Sequence, residues 1–469
     1  MSHVKQTELR KRLSGVLSDL YGGEVPAYNM LVEVAQEVNQ EHQRQHPEKA
    51  GQFGSLERVT AERHGAIRVG SPDELAQAAR VFGAVGMYAV NFYDLRDAKP
   101  NPIPVVSTAF RPTDRQELAE NPFRVFTSML VPEDRRFFTQ ELEHRLKNYI
   151  SQRTLFSEEL LTLADSAVNG NGLPEEQAQR FLDLAAASFA LSSEPVDRAW
   201  YDELEDISSV AADIGGVSST HINHLTPRVL DIDELYSRME LRGISMIDSI
   251  QGPPKWQGPD VLLRQTSFRA LSEPRLFKES DGSVSEGELR VRFGEVEARG
   301  MALTREGRAL YDASMAEVDS EVARSGRTRS DVASEVWAQR FPRTDIEFLK
   351  ADLGFFTFAL TSDAPASELP TSLIDLVTSG HVQVEPIVYE DFLPRSAAGI
   401  FASNLSGDGN MRDAQGEAPR DAMWMSGRIG TPVLDSFDIY AQERSSSLAQ
   451  VCQQLGMHVD DLILPWKQD

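Results

Sequence analysis

Two stretches of helical spacing open the chain. Apolar residues recur at Leu9, Leu13, Val16, Leu17 and Leu20, and again at Met30, Leu31, Val34 and Val38, so residues 5–46 are predicted to form two helices separated by the turn GGEVP at 22–26. At residue 64 the texture changes. HGAIRVG reads as a short strand, and Ser71-Pro72-Asp73-Glu74 then opens a helix with an N-cap and an acidic first turn. Further strands are predicted near 87–93, 103–110 and 124–131. Residues 134–215 read as mostly helical and polar, with loops at 169–173 and 192–195. Strands return at 221–226, 260–269 and 288–298, followed by a patterned helix at 303–324 and an extended run at 381–393. Glycine and proline accumulate at 394–432, which predicts a long loop or lid rather than a core element. The texture is α+β: a mixed or antiparallel sheet decorated with helices. One catalytic unit spanning 1–469 is expected, with N-terminal helices at 1–60. A β-rich core at 61–131 and 219–400 would surround a mostly helical insertion at 132–218, with a C-terminal loop and helix at 401–469.

Three strand-like fragments carry candidate chemistry. In RHGAIRVG (63–70), residues 64, 66 and 68 share one face if the run is extended, so the His64 imidazole and the Arg68 guanidinium project together. The bland alternative is a structural histidine and a surface arginine. In STHINHLTPR (219–228), His221 and His224 differ by three and would face opposite sides of a strand. One is then a candidate ligand and the other a packing partner, with Asn223 and Thr226 available to fix a ring by hydrogen bonds. In ELRVRFGEVEARG (288–300), Leu289, Val291 and Phe293 share a side that Glu295 and Glu297 continue. Carboxylates on a buried face are costly unless paired or bound to a cation. Periodicity does not choose between the two glutamates, and a strand emerging into solvent is the alternative. Together the fragments hold two histidines and one carboxylate, the inventory of a facial triad that leaves metal positions open for a substrate. His42 and His46 stand four apart in the wholly polar EHQRQH and are read as a solvated helix face.

Composition narrows the partners. The 469 residues, 41% of them hydrophobic, suffice for a large core. With 47 basic and 72 acidic residues the formal charge is −25, which repels phosphate backbones and anionic lipids. No nucleic-acid or membrane partner is therefore expected, and a site for an anionic substrate must be locally basic. A single cysteine, Cys452, builds neither an internal disulfide nor a thiolate metal site and points to a reducing compartment. With no apolar leader and no run of about 18 apolar residues, a cytoplasmic protein is expected. The glycine-rich phosphate-binding strings are absent.

The motifs ERHGAIRVG (62–70), HINHLTPRVLDID (221–233), LLRQTSF (262–268), RFGEVEARGMALT (292–304) and VYEDFLPRSAAGIF (388–401) together resemble the 2-oxoadipate dioxygenase/decarboxylase family, also called hydroxyglutarate synthase. The resemblance runs along the whole chain. It implies a vicinal-oxygen-chelate-like sheet core enclosing a metal site, with additional helices. It implies Fe(2+) held by His64, His224 and Glu295, and Arg68 gripping a substrate carboxylate. It brings in Arg395 and Ser396 from a segment that closes over the substrate, while His221, Asn223 and Gln265 become candidates for roles around the metal or pocket. The chain departs from the family pattern at Arg395, where an apolar residue is usual. The implied reaction takes 2-oxoadipate and O2 to 2-hydroxyglutarate and CO2, a step in lysine breakdown. The alternative on the same scaffold is a non-redox metal-dependent isomerase or lyase of a 2-oxo acid. A metabolite-binding protein without chemistry is a third reading.

Overall fold

The structure is a computed structural model describing residues 3–47, 51, 54–98, 102–289, 292–361, 369–393, 400 and 419–467. Its strands, in chain order, are β1 (His3–Lys5), β2 (Arg63–Val69), β3 (Tyr88–Asp94), β4 (Val105–Arg111), β5 (Arg124–Leu130), β6 (Gly172–Pro174) and β7 (Val196–Asp197). Then follow β8 (His224–Pro227), β9 (Leu263–Ser267), β10 (Glu273–Lys278), β11 (Val284–Leu289), β12 (Glu295–Arg299), β13 (Phe356–Leu360) and β14 (Val382–Pro386). The central sheet has the order β3-β4-β5-β2-β8. Only the β2–β5 pairing is parallel; its other pairings are antiparallel. β12 and β9 form an antiparallel pair. That pair lies against the β8 edge of the sheet, where the Val229 amide donates to the Glu297 carbonyl at 2.8 Å. The result is a mixed sheet core with helices around it.

β2 is buried along its whole length because both faces are covered. Ile67 and Val69 pack into one apolar cluster with Leu9, Leu13, Leu17, Leu31, Val34 and Val38 of the helices Gln6–Glu24 and Pro26–Gln45. Ala66, on the other face, belongs to a separate cluster with Phe126, Leu130 and Phe392. Strand alternation thus sends odd-numbered residues towards the N-terminal helices and His64, Ala66 and Arg68 towards the interior on the far side. The helix Gln6–Glu24 is also tied to the strands by one hydroxyl. Tyr21 Oη donates to the carbonyls of Phe293 (2.9 Å) and Asn223 (3.2 Å), the residues just before β12 and β8.

Two sequence expectations need correction. The alternating run 288–298 is not one strand: β11 ends at Leu289 in a sheet with β10 and β7, and β12 begins at Glu295 beside β9. Just before β12, a Cβ at Gly294 would lie 1.9 Å from Phe268 Cε1, so glycine lets the chain pass close to that ring. Of the stretch 394–432, read as loop or lid, residues 394–399 and 401–418 lie outside the described residues; its described end contains the helix Ala422–Ile429, with Met425 and Ile429 buried in the first cluster. Among the described residues no helix is long and apolar enough to cross a membrane.

Removing the Tyr21 hydroxyl leaves the Phe293 carbonyl buried without its donor. Tyr21→Phe is expected to lower stability by about 1–2 kcal/mol in urea titration with an unchanged slope; an unaltered midpoint would show that this tie contributes nothing.

Candidate metal centre

Register places the two histidines on one face. His64 lies opposite Thr226 across the antiparallel β2–β8 pair, and Ala66 lies opposite His224. Residues directly opposite share a face, so His64 and His224 are diagonal neighbours; their ring centroids are 5.2 Å apart and nearly perpendicular. β12 brings in Glu295. Its Oε2 is 3.4 Å from His64 Nε2 and its Oε1 is 3.2 Å from His224 Nδ1. His64, His224 and Glu295 each offer a ligand atom, all within 4.8 Å of one another, and all three residues are buried. Among the described residues this is the one group of histidine and acidic side chains so arranged.

The second glutamate of the run sits behind the first histidine. Glu297 Oε2 is 2.8 Å from His64 Nδ1, and Arg299 grips the carboxylate with Nε (2.7 Å) and Nη2 (2.9 Å). Burial disfavours charge on Glu297, but Arg299, His64 and Arg124 outweigh it and hold the carboxyl near about 2. Burial likewise opposes charge on His64, yet Glu297 and Glu295 raise its pKa. Burial, then the neighbouring His64, push His224 well below the usual imidazole range, so its ring is neutral. Burial raises Glu295 against the pull of His64. A neutral imidazole is the form that ligates a metal.

A lattice of buried ion pairs continues from Glu297. Glu62 receives Arg124 and Arg228, each at 2.8 Å. Glu390 receives Arg58 and Arg124, and Asp391 receives Arg111 (2.8 Å) and the Tyr440 hydroxyl. This accounts for the acidic pair in VYEDFLP: both carboxylates point into the lattice, and the next residue, Phe392, sets its ring edge-on to His64 at 5.0 Å. Phe126 packs on Phe392 at 5.0 Å and Phe293 on His224 at 5.6 Å, so aromatic rings cover part of the surroundings.

Arg68 shares the His64 face of β2, two pleats on, and its guanidinium pairs with the buried Asp213 carboxylate. Asn223 Nδ2 donates to Asp213 at 2.8 Å, and His221 Nε2 lies 3.4 Å from the same carboxylate. His221 is therefore placed beside Asp213 rather than in the ligand cluster. The residues 221–223 precede β8 and are not part of the strand, so the reason for their separation is loop geometry and not the parity of a strand. Asn223 Nδ2, which donates to Asp213, also lies 3.1 Å from His221 Nε2 and so meets that ring, while Thr226 Oγ1 makes no hydrogen bond. A cavity of about 200 Å³ reaches Asp213 and His221; its charged lining is mixed, with Arg275 and Lys278 beside Glu194 and Asp197. Gln265 stands opposite Glu297 on β9, with Nε2 3.4 Å from Glu295 Oε2. His42 and His46 are half-buried, not fully solvated, and lie outside the cluster. Arg395 and Ser396 lie outside the described residues.

Sequence reasoning missed Asp213, Glu62, Glu390 and Asp391. A signal existed for three of them: Asp213 interrupts the apolar run VAADIG, and Glu390-Asp391 interrupt VYEDFL. Glu62 carries no such mark.

Comparison with known proteins gives the family. Residues 13–404 match the family model of the 2-oxoadipate dioxygenase/decarboxylases. The 2-oxoadipate dioxygenase/decarboxylase of Mycobacterium tuberculosis is 52% identical over 433 residues, covering 92% of this chain and 95% of the relative. The Escherichia coli protein of the same name is 40% identical over 456 residues, covering 94% and 98%. The solved structure of Pseudomonas putida hydroxyglutarate synthase in complex with 2-oxoadipate superposes with a TM-score of 0.84 at 36% identity, covering 97% of this chain and 100% of that one. With its vicinal-oxygen-chelate-like sheet core and additional helices, the chain belongs to the 2-oxoadipate dioxygenase/decarboxylase, or hydroxyglutarate synthase, family.

Proposed function

We propose that the protein is an iron(II)-dependent dioxygenase that converts 2-oxoadipate and O2 to 2-hydroxyglutarate and CO2, with His64, His224 and Glu295 as metal ligands. The observation that carries this reading is the buried trio within 4.8 Å, with Arg68 on the same face of the strand that bears His64. Family membership and the 2-oxoadipate bound to the Pseudomonas putida relative support it.

The donor set fits a divalent ion. His224 Nδ1, which faces Glu295 at 3.2 Å, is buried without a hydrogen-bond partner, a costly state that a metal on that nitrogen would relieve. Two imidazoles and one carboxylate, without thiolate, suit iron(II) with positions left open. The chemistry such an ion supplies is chelation of a 2-oxo acid through its keto and carboxylate oxygens and the reductive activation of O2.

The chain's own residues set the substrate's pose. Arg68 pairs with the carboxylate at the far end, a task suited to a permanently charged planar fork. Asp213, locked by Asn223, holds one edge of that fork and so aims the guanidinium. Gln265 has a buried Oε1 without a partner and offers an acceptor to a substrate or product hydroxyl. Phe392, Phe126 and Phe293 keep water from the reacting end. Fixing both ends of a flexible diacid is how these groups accelerate the reaction.

Oxygen consumption is expected to require both iron(II) and 2-oxoadipate, with equimolar 2-hydroxyglutarate and CO2 formed. Uptake that survives a chelator, or turnover without oxygen, would contradict the assignment; the latter would favour the isomerase or lyase reading. For Arg68→Ala, kcat/KM for 2-oxoadipate should fall on the order of a hundredfold, the loss expected when one member of a buried charge pair is truncated, while iron content stays at the parental level. Loss of iron in that variant would show that Arg68 supports the metal rather than the substrate.

A further inference from the structure

The β12 strand carries two carboxylates and an arginine on one face, Glu295, Glu297 and Arg299, yet only Glu295 joins the cluster that can share an ion. His64 lies between the acids: its Nε2 is 3.4 Å from Glu295 and its Nδ1 is 2.8 Å from Glu297. Glu297 has no exposure. Its Oε1 accepts from Arg299 Nε at 2.7 Å and Arg124 Nη1 at 3.2 Å, and its Oε2 accepts from Arg299 Nη2 at 2.9 Å. Arg299 is itself immobilised, because Nη1 donates to the carbonyls of Tyr389 (2.8 Å) and Asp391 (3.0 Å).

We propose that Glu297 is the positioning residue of the metal centre: it accepts the Nδ1 proton of His64 and thereby fixes Nε2 as the atom turned to the metal, with Arg299 and Arg124 holding it in place. This deepens the function above and rests on its metal ligands. A neutral imidazole carries one N–H, and the partner of that N–H decides which nitrogen keeps the lone pair. A carboxylate on Nδ1 also stops ring rotation and makes the ligand nitrogen a better donor. The second histidine has no such device. His224 packs on Phe293, and its one carboxylate contact among the described residues is Glu295 itself, 3.2 Å from Nδ1, with no second carboxylate behind the ring. The two imidazole ligands are therefore unequal, and the orientation of the centre is set on the His64 side. A glutamine at 297 would not serve, since its amide group would direct N–H donors at a guanidinium or at the His64 N–H.

The test uses the full-length protein freed of metal. Cobalt(II) is titrated against a competing chelator into the parent and into Glu297→Gln, reading affinity and the visible d–d bands. The expected result is 10–100-fold weaker binding, the usual consequence of losing such a partner, with altered bands. In parallel, 15N-histidine NMR of the zinc(II)-loaded parent should show His64 with its proton on Nδ1 and its Nε2 shifted by metal, the signals being assigned by their loss in His64→Gln. Parental affinity and bands in Glu297→Gln would overturn the proposal, as would metal on His64 Nδ1. If the variant does not fold, the NMR of the parent decides alone. A parent that binds neither ion would instead overturn the metal-centre reading and the present proposal with it.

Discussion

Charge buried far from water must be matched, and this constraint organises the interior. Glu62, Glu295, Glu297, Glu390 and Asp391 are all shielded from solvent, and so are Arg111, Arg124, Arg228 and Arg299. Removing one member of a buried pair strands the other, at a typical cost of about 3–5 kcal/mol. The lattice therefore tolerates few arrangements and fixes where its strands and loops meet. Glu297 is the point at which it touches the centre, through His64. Among the described residues no arginine pairs with Glu295, two residues away: its contacts are His64, His224 and Gln265. In the function proposed above a metal cation pairs with this carboxylate, which makes one glutamate a ligand and its neighbour scaffold.

The same constraint keeps arginine cations inside a protein of net charge −25. Arg111, Arg124, Arg228 and Arg299 are buried beside the acids of the lattice, and Arg68 is buried beside Asp213. Arginine suits these positions because its charge persists in a dry environment where a lysine would lose its proton.

Much of the centre was legible before any coordinates. The spacing of His64 and Arg68 on an extended run gave their common face, and Leu9, Leu13 and Leu17 gave the helix that covers the opposite one. Alternation alone left Glu295 and Glu297 equivalent, and physically it had to. Both do lie on one face of β12, and what separates them is which end of a single imidazole each meets. The break between Leu289 and Glu295 was hidden because charged and apolar residues keep alternating across it; the Phe268 ring that Gly294 passes comes from another strand region. The lattice was illegible for a similar reason. Arg58 and Glu390 are 332 positions apart, and Arg111 and Asp391 are 280 apart, so no local pattern links them. The helix Ala422–Ile429 was obscured by the glycines and prolines flanking it, though Trp424, Met425 and Ile429 follow helical spacing.

The most direct measurement of the central claim is anomalous diffraction at the iron edge from crystals of the iron(II)-loaded protein. The account predicts one strong peak bounded by His64, His224 and the Glu295 carboxylate, with Glu297 outside bonding distance. A peak bonded to Glu297, or one located away from these strands, would contradict it.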